Sequence, residues 1–229
     1  MIFVRALRRV AFAAVLLAAI AGALGAIYFD HLFPFDLDRE PGFTTKFHLS
    51  RLKDDPARCM AALDRADVNF VRVPAVEREE GCGYADAVRL QSSSVSYGGG
   101  VSLRCPAMLA LLLWERHVLL PAAQTHFEQR PVSVRHLGTY ACRPIAGRSG
   151  RRLSQHAFAT AIDIAAVTLD GGRTVSVLRD WDDGGEKGAF LRDLRAGACR
   201  VFSAVLSPDY NAAHANHFHF DLGRWSVCR

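Results

Sequence analysis

The sequence predicts an α+β domain, an antiparallel sheet flanked by helices, carried behind a single N-terminal membrane-spanning helix. Three observations predict it. Residues 10–29 form an uncharged, mostly apolar run behind Arg5, Arg8 and Arg9. Beyond that run, strand-like and helix-like patterns are mixed without the regular βαβ alternation of a doubly wound sheet. The chain has 229 residues and is 50% hydrophobic, enough for one sizeable core and too little for two ordinary domains plus a membrane segment.

A helix needs ~20 apolar residues to cross ~30 Å of hydrocarbon, and residues 10–29 supply that length. The arginines hold residues 1–9 in the cytosol and place everything after Asp30 on the far side. Small residues at Ala21, Ala23 and Ala26 leave a second reading open, a cleaved signal peptide, although the run is long for one and favours an anchor. Both readings export the remainder. Residues 30–55 mix Pro34, Pro41, Gly42 and charges without periodicity, as a tether or an arm lying on the domain would, and the folded domain is expected over residues 56–229.

Within that domain, Pro56 opens a helical stretch over residues 56–66, and NFVRVPAV at 69–76 reads as a strand. Residues 81–104 set Gly81, Gly83, Gly98, Gly99 and Gly100 around short β-prone pieces, the pattern of irregular sheet and hairpin. Residues 106–127 begin with a proline suited to a first helical turn and continue as a strongly apolar core helix interrupted near Pro121. VSVRHLGTYACR (132–143) alternates as a strand, and PIAGRSGRR (144–152) supplies a basic, glycine-containing loop. TAIDIAAVTL (160–169) and DGGRTVSVL (170–178) read as two strands across an Asp-Gly-Gly turn. Phe190, Leu191, Leu194, Ala198, Phe202 and Val205 recur at helical spacing over residues 187–206, and HFHFDL (217–222) is the last long strand.

The formal charge of +5 is modest, and three of the arginines belong to the membrane flank. No basic stripe interleaved with aromatics is present, so nucleic acid is not an expected partner, while an acidic polymer is tolerated. Six cysteines, Cys59, Cys82, Cys105, Cys142, Cys199 and Cys228, all follow the apolar run and form no CxxC pair. In an oxidising compartment they make up to three disulfides, whose pairing the spacing leaves open.

Three of the nine histidines, His214, His217 and His219, fall within HANHFHFD. On a strand, His217 and His219 share one face and Phe218 and Phe220 the other. Upstream, SQHAFATAIDIA sets His156 seven residues before Asp163, with Ala157, Ala159 and Ala161 leaving room for a compact site. Two imidazoles and a carboxylate are the set with which catalytic zinc is held while a fourth position stays open for water. The chain has no GxSxG elbow around Ser154, no HExxH, and no P-loop or dinucleotide fingerprint at Gly98–Gly100.

Ser154, His156, Ala161 and Asp163, followed much later by His217 and His219, resemble the metallopeptidase group that includes D-alanyl-D-alanine peptidases, the penicillin-insensitive murein endopeptidase, lysostaphin-type enzymes and the hedgehog signalling domain. More closely, GCGYADAV, LRCPAML, GTYACR, RLSQHAFATAIDIA and PDYNAAHANHFHFD are similar to the bacterial extensin-like protein C-terminal family, from about Cys59 to Asp221. The resemblance implies a hedgehog or D-Ala-D-Ala-peptidase-like fold with zinc on His156, Asp163 and His219. It implies that His217 orients or deprotonates the attacking water, that His214 is an outer partner, and that Arg143 contacts substrate or the developing oxyanion. Spacing alone leaves a second register open, with His217 on the metal and His214 as the base. The implied activity is cleavage of peptidoglycan stem peptides or cross-links in the bacterial periplasm, beside the inner membrane that the N-terminal helix spans. The alternative is a non-catalytic, zinc-stabilised module that binds peptidoglycan or scaffolds the envelope. Relatives usually carry glycine where this chain has Ala159, and often asparagine where it has Thr160, so backbone strain near His156 is expected if that glycine is left-handed.

Overall fold

The computed structural model describes residues 2–32, 35–145 and 152–229, so residues 146–151 of the basic glycine-containing loop lie outside the described residues. The chain divides into two units, residues 1–36 and residues 37–229. The first is one helix, α1 (Ile2–Leu32), whose stretch Arg8–Gly25 is long and apolar enough to cross a membrane.

The second unit takes in residues 37–55 as well, so of the two expectations for this stretch, a tether or an arm lying on the domain, the arm is what these residues form, and the folded unit begins before residue 56. Leu37 is buried, His117 Nε2 lies 2.7 Å from the Leu37 carbonyl, and α2 (Thr45–Leu52) buries Leu49 and Leu52. Only two apolar positions of this eight-residue helix face inward, too few to register as periodicity. Helix α3 (Pro56–Asp64) starts where Pro56 fits a first turn and the Asp55 carboxylate accepts from Arg58 N at 3.0 Å.

The strand expected at 69–76 is broken at Pro74, which has no N–H for a ladder. It becomes β1 (Asn69–Arg72) and β2 (Val76–Glu77), the latter paired with β3 (Gly83–Tyr84). β4 (Ala87–Ser92) and β5 (Val101–Arg104) complete an antiparallel sheet of order β1-β4-β5. Helix α4 (Cys105–Trp114) is buried at all ten positions, as a helix apolar all round must be. Pro121 does not break it. The chain stays helical through a π turn, Glu115–Leu119, into α5 (Leu120–Phe127). A proline cannot donate to the carbonyl four residues back, and the widened turn absorbs that loss.

The main sheet contains β6 (Pro131–Gly138), β7 (Ala161–Leu169), β8 (Thr174–Ser176), β9 (Ala204–Leu206), β10 (Phe218–Asp221) and β11 (Val227–Cys228), in the order β11-β9-β10-β7-β6 with β8 on β7. Its pairs are antiparallel except β11 with β9, which is parallel. β8 stops at Ser176 because the Asp180 carboxylate accepts from Ser176 N at 2.7 Å and turns the chain into a short helix, α6 (Val177–Asp180). The expected 187–206 helix is α7 (Glu186–Val201) followed by β9. Phe202 and Val205 fill the core from extended backbone, which apolar spacing cannot tell from a helix.

Phe218 and Phe220 point into the helix-covered side, where Phe220 meets Trp114 edge-on at 5.5 Å and stacks on Phe202 at 5.0 Å. Trp114 Nε1 donates to the Leu194 carbonyl of α7 at 3.1 Å. Three disulfides, Cys59–Cys105, Cys82–Cys142 and Cys199–Cys228, tie α3 to α4, the residue just before β3 to the segment after β6, and α7 to β11.

Candidate metal centre

In β10 the alternation that buries Phe218 and Phe220 turns His219 to the opposite face. There it sits directly across the ladder from Asp163 of β7. His156 arrives from a 3-10 turn, Gln155–Phe158, capped by Ser154, whose hydroxyl accepts from His156 N at 3.3 Å. The turn closes at Ala159 (φ 51°, ψ 35°), a left-handed residue that leads straight into β7.

The structure brings His156, Asp163 and His219 together. One ligand atom from each lies within 4.8 Å of the others, and all three side chains are buried. His219 Nδ1 is 2.9 Å and His156 Nε2 3.2 Å from Asp163 Oδ1, and the two nitrogens are 3.2 Å apart. What lies behind the rings sets their tautomers. His156 Nδ1–H donates to the Thr139 carbonyl at 2.9 Å, and His219 Nε2–H donates to Asp221 Oδ2 at 2.9 Å. In neutral imidazoles this leaves a lone pair on His156 Nε2 and on His219 Nδ1, both turned on the carboxylate. Three acceptors in contact repel unless a cation or a proton lies among them. Two nitrogens and one oxygen, oriented from behind, fit a divalent ion such as zinc.

Without a metal, a proton takes that place. Burial opposes charge on His219, but hydrogen bonds to Asp163 and Asp221 and their charges outweigh it and push the imidazole up to about 9. Burial likewise opposes ionisation of Asp163, yet His156 and His219 hold it well below the usual carboxylate range. The raised His219 contributes its stability fully below its ordinary value of 6.5 and loses it as pH rises through about 9. Stability is therefore expected to fall between neutral pH and pH 10. Denaturant titration of chelated protein across this interval checks it, and zinc affinity should rise over the same range as the ion displaces the proton.

His217 lies just before β10, not in its ladder. Its Nδ1–H donates to Asn216 Oδ1 at 2.7 Å, and Nε2 faces the centre 3.6 Å from Asp163 Oδ1. Burial lowers its pKa, reinforced by His219, His156 and Arg143 and opposed by Asp163. His214 ends a 3-10 turn, Ala212–His214, with Nδ1 2.7 Å from Asn211 Oδ1 and its ring 5.2 Å from that of His217. Burial, then the charges of His217 and His219, bring it down to about 4. Arg143 is exposed beside the Cys82–Cys142 bridge, and its charge is felt at both His214 and His217.

Sequence reasoning missed Asp221, Thr139, Asn211, Asn216 and His136. Asp221 had a signal, since it follows His219 by two on one strand and shares its face. The Thr139 contribution is a backbone carbonyl and had none. His136 of β6 keeps a buried Nδ1 with no partner among the described residues and lies near enough to feel the charge of Asp163.

The left-handed backbone of Ala159 makes alanine costly there relative to glycine, on the order of 1 kcal/mol. Ala159→Gly is therefore expected to raise Tm by ~1–2 °C, part of the relief being offset by the greater freedom of an unfolded glycine. Differential scanning calorimetry at matched zinc content checks it.

The family model for the C-terminus of extensin-like proteins matches residues 57–229, which takes in every residue of the centre. No curated protein and no solved structure matches the chain. With most of its length matched by that one model, the chain belongs to the Extensin-like protein C-terminus family.

Proposed function

We propose that this protein is a zinc-dependent peptidase of the bacterial envelope that cuts peptide bonds in peptidoglycan stem peptides or cross-links. The observation that carries the reading is the convergence of His156 Nε2, His219 Nδ1 and Asp163 Oδ1, with both rings oriented from behind by Thr139 and Asp221. The resemblance to metallopeptidases of D-amino-acid bonds and hedgehog-like domains supports the substrate class and the finer fold assignment. The apolar helix and three disulfides support an exported domain, held in this reading at the inner membrane on its periplasmic side.

Zinc bound there supplies a Lewis acid and a water acidified toward pKa ~7. The chain's own residues do the rest. Lowered in pKa, His217 is neutral at pH 7, and its Nε2 lone pair takes the proton of the attacking water. Asn216 keeps that nitrogen free by engaging the other one. His214 packs against His217 as an outer partner, and Arg143 places positive charge where the carbonyl oxygen becomes negative.

Metal analysis together with digestion of isolated peptidoglycan tests the reading. One zinc per chain and new, shorter muropeptides are expected. Unchanged muropeptides with zinc in place would sink the hydrolase claim and leave a zinc-stabilised wall-binding module.

A further inference from the structure

The first helix of the folded unit and the turn leading into it present two phenylalanines to solvent. Phe43 is 99% and Phe47 51% exposed, four residues apart, while Leu49 and Leu52 fix α2 to the domain from its other side. Phe43 precedes the N-cap residue Thr44, where an apolar side chain ordinarily closes back over the first turn. At that exposure it closes over nothing.

What lies within reach of this face follows from the chain. Helix α1 ends at Leu32 and Leu37 is already buried in the domain, so five peptide steps, at most ~18 Å, separate them. A domain on so short a tether meets the bilayer surface at high effective concentration, so a contact too weak to recruit a free protein suffices to hold this one. Charge does not compete. Residues 37–55 carry Arg39, Lys46, Arg51 and Lys53 against Asp38, Glu40, Asp54 and Asp55.

We propose that Phe43 and Phe47 dip into the head-group boundary of the bilayer that α1 spans and hold the domain against the membrane surface. This rests on the reading of residues 10–29 as an uncleaved anchor. The contact is apolar and so insensitive to salt.

The full-length chain in nanodiscs, with brominated or ordinary lipids, tests it by tryptophan quenching. Three variants serve as reporters: Phe12→Trp inside the apolar run, Phe43→Trp on the proposed face, and Leu137→Trp as an exposed position on β6. Wild-type emission from Trp114, Trp181 and Trp225 is the background. The expected result is strong quenching of the Phe12→Trp reporter, with the Phe43→Trp reporter quenched several-fold more than Leu137→Trp and unchanged in high salt. Because the control is also a tryptophan, the preference of that ring for interfaces cancels. Quenching at position 12 with position 43 no higher than 137 overturns the docking and leaves the anchor standing. No quenching at position 12 overturns the anchor, and the docking with it. A blue-shifted but unquenched reporter at position 43 assigns the face to a protein, a second copy included, and also overturns the proposal.

Discussion

Asp163→Asn is expected to abolish stoichiometric zinc binding and, with it, turnover. The substitution keeps shape and removes the one negative charge that His156 and His219 both contact, leaving two imidazole nitrogens 3.2 Å apart with an amide between them. Asp221→Ala should weaken zinc by ~10–100-fold, the usual cost of an outer partner that orients a histidine ligand. Asp163→Asn should cost more than that, because it removes a ligand and not the support of one. Competition against a chromogenic chelator measures both affinities, and far-UV circular dichroism separates metal loss from unfolding. If Asp163→Asn binds zinc as tightly as wild type, the carboxylate is not a ligand and the centre has been assigned wrongly.

The pair of variants also marks where the sequence was readable. The alternation of Phe218, His219 and Phe220 was legible because an antiparallel ladder converts spacing into face, whereas His217, expected on the same strand face, lies just outside the ladder, and the pairing of Asp163 with His219 shows only in the structure. Asp221 lies in that same alternation but, as an acid at a strand end, looks like surface until His219 Nε2 is seen 2.9 Å away. Thr139 could not be found, since its contribution is a main-chain oxygen placed by the path of the chain after β6. Asn211 and Asn216 act on neighbours one to three residues away, through contacts of the kind any polar loop makes.

Elsewhere the errors share one cause: periodicity reports burial, not backbone state. Phe202 and Val205 are buried whether helical or extended, and α2 hid because two inward leucines make no period. Pro121 was visible, but the neighbouring apolar surface keeps the helix going through a π turn at its expense. The left-handed residue at Ala159 was anticipated through the resemblance, whose members usually carry glycine there, a residue that permits this conformation.

His217→Ala is expected to lower turnover by ~10²–10⁴, the range for a lost general base, while zinc content stays at the wild-type level. His217 sits before β10 and outside its ladder, so truncating it leaves the Asp163–His219 register, the Thr139 and Asp221 supports and the capped turn of His156 untouched. Its Nε2 stands 3.6 Å from Asp163 Oδ1, beyond the 2.9–3.2 Å spacing within the ligand set and suited to a group that meets the attacking water. The shifted register makes the opposite forecast: there His217→Ala strips the metal, and His214→Ala removes the base. Zinc content and turnover measured on the same two variants therefore decide between the registers. The pH profile adds a second axis, because burial lowers the pKa of His217, so the acid limb of the rate should be displaced downward from the ordinary histidine value and vanish with the ring. A wall-binding module would show neither limb nor loss, only an affinity for peptidoglycan that His217→Ala leaves intact.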